Sequence, residues 1–185
     1  MQYQKPVVWD EILYEGNLNL GWGNITGEEL VRRFWEASMR GGYAGHGETL
    51  LQTIDDSVDN SVLWWSHGGN LHGDSPKRIS FLYKILAEIP GGYGLRVIPK
   101  YWDAVVGTMD ASQDRDKEVE DYYLFYFSFL RPLYRDLYFD NDTEFKVDLI
   151  DTWNMTISPQ GVFKGRFRII TGGRPFMAIR VQKIG

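Results

Sequence analysis

The sequence predicts an α+β chain of two domains, a parallel strand–helix region followed by an antiparallel β-sandwich. The first 90 residues alternate short apolar runs with helical patterns, an order typical of a parallel α/β sheet. From about residue 95 the pattern becomes short runs of near two-residue alternation between turn signals, which is typical of a sandwich. The change predicts a domain boundary near 90–95.

The first predicted strand ends in carboxylates. The apolar run 6–9, Pro-Val-Val-Trp, is followed at once by Asp10 and Glu11. A continuous apolar run bounded by a turn signal is typical of a short parallel strand buried on both faces. Catalytic side chains emerge at the C-terminal ends of the strands of (β/α) barrels, so an acid here favours a catalytic role. The alternative for Glu11 is an acid that caps a neighbouring backbone or pairs with a base.

Two helices are predicted from their start and stop signals. Thr26 and Glu29 match a capping box, and apolar residues follow at helical spacing until the glycine pair at 41–42. Ser75, with proline next to it, is a strong helix start, and the Pro-Gly-Gly of 90–92 ends that second helix. Between the helices, residues 43–51 predict a second strand that again closes on polar groups.

The C-terminal half predicts a series of short antiparallel strands. A turn is predicted at 158–161, and Trp102 and Trp153 are predicted to be core residues. Asp148, Asp151 and the run 140–142 could be calcium ligands, although turn chemistry explains the run more simply. The strands are predicted at 104–107, 122–129, 134–139, 145–151, 162–170 and 176–181.

Composition narrows the function classes. The chain has 185 residues, is 43% apolar and carries a net charge of −5, with its basic residues scattered. A negative chain without a basic cluster gives no electrostatic reason to expect nucleic acid or a membrane as partner. Without cysteine there is no disulfide framework and no thiolate chemistry. The N-terminus lacks the pattern of a signal peptide, which favours a cytoplasmic protein.

Five segments in order resemble the C-terminal part of bacterial (β/α)8-barrel glycoside hydrolases of the apiosidase-like group. In that group a small β-sandwich, either uncharacterised or provisionally labelled collagen-binding, follows the barrel. The resemblance covers nearly the whole chain and implies that residues 1–92 are the last two strand–helix units of a barrel and 93–185 the sandwich. The segments are PVVWDEILYEGN (6–17), GGYAGHGETLL (41–51), LWWSHGGNLHGDSPKRISFL (63–82), DLIDTWNMT (148–156) and GRPFMAIRVQKI (173–184).

The resemblance implies a retaining glycoside hydrolase whose nucleophile position falls on Glu11. In such barrels the nucleophile ends strand seven, which residues 6–12 resemble. Glu15 is the competing candidate, or else a residue that supports the nucleophile or anchors a loop. The acid/base residue of such barrels lies on strand four, which has no counterpart in these residues. The resemblance therefore implies a chain that is inactive alone, with no cofactor.

The same resemblance implies five substrate-binding candidates. His46 and Glu48 could bind sugar hydroxyls or tune the nucleophile. The alternative is that they form a hydrogen-bonded polar pair at the rim of the barrel. Trp64 and Trp65 could stack on a sugar ring, or one or both could pack beneath their loop. His67 and His72, in the glycine-rich loop before the second helix, lack the spacing of a zinc site. The candidates are His46, Glu48, Trp64, Trp65 and His67.

Two further function classes stay open. The sandwich could be the working part of a non-catalytic carbohydrate-binding or scaffold module. The truncated barrel could instead pair with another chain that supplies its remaining strands. Because strands cut from a barrel leave an open sheet edge, self-association through that edge is expected, with an oligo- or polysaccharide as the other partner.

Overall fold

The computed structural model describes residues 5–51, 71–90, 95–98, 102–108 and 121–184. These residues are mostly β-sheet with two helices, α1 (Gly27–Met39) and α2 (Ser75–Ala87). The strands in chain order are β1 (Val7–Trp9), β2 (Glu15–Gly16), β3 (Gly42–Ala44), β4 (Glu48–Thr49), β5 (Leu95–Val97), β6 (Ala104–Thr108), β7 (Tyr122–Tyr126), β8 (Tyr134–Tyr138), β9 (Phe145–Asp151), β10 (Thr156–Phe163), β11 (Arg166–Ile170) and β12 (Met177–Lys183).

The chain divides into two compact units. The first comprises residues 1–38 and 42–80, and the second residues 39–41 and 81–185. The first unit therefore contains β1 to β4, nearly all of α1 and the start of α2. The second contains the rest of α2 and all of β5 to β12.

Parallel pairing is confined to the first unit among the described residues. The strands β1 and β3 pair in parallel with Val8 opposite Tyr43, and α1 connects them. The strands β2 and β4 form a second parallel pair with Glu15 opposite Glu48. The predicted second strand, 43–51, is thus divided into β3 and β4, because the chain changes its pairing partner between them.

The prediction that β1 is buried on both faces is wrong for this chain. The side chains of Val7, Val8 and Trp9 are 47%, 57% and 42% exposed. The described residues pair β1 with β3 alone. Among the described residues, this apolar run therefore lacks the neighbouring elements that would cover both of its faces.

The signals at the ends of α1 act as predicted. The backbone N–H of Glu29 donates to Thr26 Oγ1 at 3.2 Å, which satisfies one of the free amides of the first turn. The Glu29 carboxylate accepts hydrogen bonds from Arg32 and Arg33, both at 2.7 Å. These bonds lower the pKa of Glu29 to about 2, the hydrogen bond from Arg32 being the largest cause. The helix ends before Gly41.

The second unit contains an antiparallel sandwich-like arrangement, as predicted. Six strands form one antiparallel sheet in the order β10-β9-β12-β7-β6-β5, and β8 pairs with β11 in a separate two-stranded antiparallel sheet. One apolar core draws on both sheets. Its members include Phe125, Phe145 and Ile179 from the large sheet and Leu137 and Phe167 from the small one.

Three predictions for this unit are wrong. The expected turn at 158–161 lies inside β10. A register shift between Pro159 and Gly161 forms a bulge there, which lets the strand contain a proline. The single strand expected over 162–170 is two strands, β10 and β11. Trp102 is 58% exposed, although one face of its ring stacks on Phe127 with 5.9 Å between centroids.

The two helices have 13 residues each. Across the described ranges, no helix is both long and apolar enough to cross a bilayer.

Candidate active site

Glu11 follows the C-terminal end of β1 and is exposed. The hydroxyl of the buried Tyr14 hydrogen-bonds its carboxylate. Burial raises the pKa of Tyr14, and the negative charges of Glu11 and Asp10 raise it further. Tyr14 therefore stays protonated and can act as a donor that orients the Glu11 carboxylate while leaving it open to solvent.

The backbone around Glu11 is held from two sides. On one side, the Gly45 N–H donates to Trp9 O at 2.9 Å. A side chain at position 45 would place its Cβ 2.5 Å from Asp10 O, so this contact between chain segments needs glycine. On the other side, Arg33 Nη1 donates to Ile12 O at 2.7 Å.

Leu13 lies in a left-handed backbone conformation with φ of 70°. A non-glycine residue there carries a conformational cost of order 1–3 kcal/mol and persists only where its surroundings impose it. The bonds that impose it are those of its neighbours, Ile12 to Arg33 and Tyr14 N–H to Trp22 O at 2.9 Å. The sharp turn separates the exposed Glu11 from the buried Glu15.

Glu15 is buried, and both of its carboxylate oxygens are occupied. It is 7% exposed, and it accepts the N–H of Asp74 at 2.8 Å and of Ser75 at 2.9 Å. These amides lie at the N-terminus of α2, where N–H groups have no partner within the helix and the helix dipole favours a negative charge. Glu15 thus caps α2 from a residue 60 positions away.

Glu48 makes an equivalent pair of bonds one strand away. It is 2% exposed and accepts the N–H of His72 at 2.7 Å and of Gly73 at 3.0 Å. A Cβ at position 73 would lie 2.3 Å from Glu15 Oε2 and 2.8 Å from Glu48 Oε1, so only glycine fits between the carboxylates. We call Glu15, Glu48 and residues 72–75 the carboxylate clamp.

The clamp follows from the parallel register of β2 and β4, which places Glu15 directly opposite Glu48. Two carboxylates side by side would repel one another without compensation. Four backbone N–H donors and the N-terminus of a helix provide that compensation. The clamp therefore fixes the start of α2 and the loop before it onto the strand ends.

His46 lies beside the clamp and is half-buried. Its Nε2 is 3.2 Å from Ser75 Oγ and 4.0 Å from Glu48 Oε1, and its ring is 6.2 Å from that of Phe34. Burial lowers the pKa of His46, while the charges of Glu48 and Glu15 oppose that change. The neutral form of the imidazole is therefore favoured at pH 7.

The other three predicted substrate-binding residues precede α2 in the sequence. Trp64, Trp65 and His67 lie outside the described residues. His72 is described, and its side chain is exposed while its backbone N–H enters the clamp.

Sequence reasoning missed Tyr14 and Arg33. The available signal for Tyr14 was its position three residues after an acid at a strand end. The available signal for Arg33 was a basic residue on the helix that follows that strand.

The acids considered for calcium have other partners. Asp140 Oδ1 accepts the N–H of Asp142 at 2.9 Å and of Thr143 at 2.6 Å, the pattern of an Asx turn. Asp148 receives two bonds from Arg180, and Asp151 pairs with Asn154 and Arg174. Within the described ranges, no group of three potential ligands is placed to hold a metal ion.

Comparison with known proteins places the chain among glycoside hydrolase structures. Residues 102–182 match the family described as Domain of unknown function (DUF5605). A crystal structure of a presumed glycoside hydrolase from Bacteroides vulgatus matches 99% of the chain with 25% identity and a TM-score of 0.76. The chain has a glycoside-hydrolase-related fold. A search among curated proteins finds no match.

Two further structures agree with this assignment of the fold. One, described as a glycoside hydrolase, matches 98% of the chain with 14% identity and a TM-score of 0.59. The other is a glycoside hydrolase of family 5 from Bacteroides vulgatus, matching 96% with 14% identity and a TM-score of 0.54. The chain spans 37%, 43% and 41% of the three solved chains, respectively.

Proposed function

We propose that this chain is the C-terminal part of a retaining glycoside hydrolase of the apiosidase-like barrel type. The observation that carries the proposal is the similarity of 99% of the chain to 37% of a presumed glycoside hydrolase with a TM-score of 0.76. In this proposal, residues 1–92 supply the last two strand–helix units of the barrel. The parallel pair of β1 and β3, joined by α1, supports that assignment. Residues 93–185 form the accessory sandwich.

Glu11 is the proposed nucleophile. A nucleophilic carboxylate must reach the sugar, and Glu11 is exposed at a strand end with Tyr14 as an orienting donor. Glu15 is the weaker candidate because both of its oxygens accept backbone N–H groups. The clamp gives Glu15 and Glu48 a positioning role instead, while His46 stays a proposed sugar contact.

Residues 1–185 are not expected to hydrolyse glycosides alone. A retaining mechanism needs two carboxyl groups about 5–5.5 Å apart, one as nucleophile and one as acid/base. In the proposed enzyme the acid/base residue comes from a barrel strand that these residues do not contain. The substrate is an oligo- or polysaccharide, and the reaction is hydrolysis of an O-glycosidic bond.

The proposal is tested in the longest reading frame that includes these residues, assayed on a panel of aryl glycosides. Glu11→Ala should abolish turnover, and added azide should restore it with formation of a glycosyl azide of inverted anomeric configuration. Azide rescues because it replaces the missing carboxylate as nucleophile. Asp10→Ala is the matched control and should retain turnover without azide. Rescue of Glu15→Ala but not of Glu11→Ala would reject the assignment.

We also propose that the open sheet edge at β1 drives self-association of the 185-residue chain when it is produced alone. Val7, Val8 and Trp9 are exposed together with Tyr43 on β3. Contiguous exposed apolar strands are sites of association. Sedimentation should show a concentration-dependent oligomer that Val8→Lys weakens, and a monomer at all concentrations would contradict this.

A further inference from the structure

The outer face of the two-stranded β8–β11 sheet is an exposed aromatic and cationic surface. Along both strands, side chains alternate between the apolar core and solvent. Leu137, Phe167 and Ile169 face the core. We call the solvent side the Tyr–Arg face, and its six residues are Tyr134, Asp136, Tyr138, Arg166, Arg168 and Ile170.

Two tyrosine rings stand on this face in fixed positions. Tyr134 is 44% exposed and Tyr138 is 60% exposed. The guanidinium carbon of Arg168 is 3.7 Å from the centroid of Tyr134, and that of Arg166 is 5.1 Å from the centroid of Tyr138. Each ring is held by a cation–π contact on one side. Four residues apart on one strand, the rings are about 13 Å from each other, which spans more than one sugar ring.

The two arginines of the Tyr–Arg face differ in their charged partners. Arg168 forms a forked pair with Asp136, with nitrogen–oxygen distances of 2.7 and 2.9 Å. Arg166 is exposed, and no carboxylate of the described ranges lies within ion-pair distance of it. Two arginines against one aspartate leave the face with a charge of +1 on a chain whose net charge is −5.

We propose that the Tyr–Arg face binds a polysaccharide that carries uronic acid residues. The apolar face of a sugar ring packs on an exposed tyrosine, whose hydroxyl can also hydrogen-bond. A sugar carboxylate matches the planar donor fork of Arg166, which forms no ion pair with a carboxylate of the described residues. A neutral glycan would leave that guanidinium unused.

Nucleic acid fits the face poorly, because its dense phosphates call for several free cations rather than one. The proposal does not depend on Glu11 or on hydrolysis. It concerns a binding site on the accessory sandwich of the second unit.

Affinity electrophoresis of the 185-residue chain tests the site. Polygalacturonate in the gel should retard the chain, whereas a neutral galactan should not. The double variant Tyr134→Ala/Tyr138→Ala should weaken binding at least about tenfold, as expected for loss of central aromatic contacts. Arg166→Gln should weaken binding to polygalacturonate, and it keeps both rings in case the double variant fails to fold.

The matched control is Tyr83→Ala, which removes a tyrosine of similar exposure on α2 and should leave binding unchanged. Fully methyl-esterified polygalacturonate lacks the carboxylates and should bind as weakly as galactan. Equal retardation of all variants, stronger binding to galactan, or no retardation of the original chain by polygalacturonate would overturn the proposal.

Discussion

The two units of the chain are stabilised in different ways. The second unit encloses an apolar core between the six-stranded antiparallel sheet and the two-stranded β8–β11 sheet, and aromatic residues such as Phe125 and Phe145 have no exposed surface. The first unit has only two-stranded parallel sheets in its described residues, and β2 and β4 contain two residues each. Its strand ends are joined to α2 by buried carboxylates.

The two units therefore depend on different interactions, apolar packing in the second and directional hydrogen bonds in the first. Apolar packing is non-directional and tolerates many surfaces, so a sandwich can complete its core from its own strands. The strand ends of the first unit carry acids whose positions depend on directional bonds to backbone N–H groups. Substitutions in the two units should therefore fail in different ways.

The largest effect is expected in the sandwich core. Phe125→Ala should lower the free energy of unfolding of the second unit by about 3–5 kcal/mol, because it removes a fully buried ring and leaves a cavity. Chemical denaturation followed by hydrogen exchange in β7 measures this loss. Phe129→Ala removes a ring that is 65% exposed and should change little. Equal losses in the two variants would show that the core is not the source of stability.

A smaller effect is expected at the clamp. Glu48→Gln replaces one accepting oxygen with an NH2 group that faces a backbone N–H, which should cost about 1–3 kcal/mol. Hydrogen exchange of residues 72–75 should speed up while exchange in β7 stays unchanged. Glu28→Gln on the exposed surface of α1 is the control.

The double variant of Glu15 and Glu48 sharpens this test. Because both acids hold the same short segment, their effects should not add, with a coupling of about 0.5–3 kcal/mol. Strict additivity would mean that the two carboxylates act independently and that the clamp is not one structural element.

The smallest effect concerns pH. Burial lowers the pKa of His46 in the folded state below its ordinary value of 6.5. The unfolded chain therefore binds the proton first as the pH falls, and stability is lost from about pH 6.5 down to the folded pKa. Above that window His46 contributes no pH dependence. His46→Gln should flatten the decline in thermal melts, whereas His72→Gln, on an exposed side chain, should not.

The sequence predicted what local chemistry determines. The start of α1 followed from the capping signal at Thr26, which acts within one helical turn, and α2 begins at the predicted Ser-Pro pair. The antiparallel strands of the second unit followed from alternation. The bulge in β10 was read as a turn, since proline and glycine signal both.

Contacts between distant segments could not be predicted. The capping of Ser75 by Glu15 joins residues 60 positions apart, and it depends on the register of β2 with β4. The exposure of β1 also depends on which strands are present to cover it, not on its own apolar run. The apolar pattern of a strand predicts which of its faces are buried in a complete sheet, but it does not show which neighbouring strands are present.

We propose that Glu11 is the nucleophile of a retaining glycoside hydrolase. The most direct measurement treats the full reading frame with 2-deoxy-2-fluoro glycosides that have good leaving groups, which slow the release of a covalent glycosyl-enzyme. Peptide mass spectrometry then locates the added sugar. We expect the sugar on the Glu11 carboxylate. Its appearance on Glu15 or Asp10, or turnover with inversion and no label, would rule out Glu11 as the nucleophile.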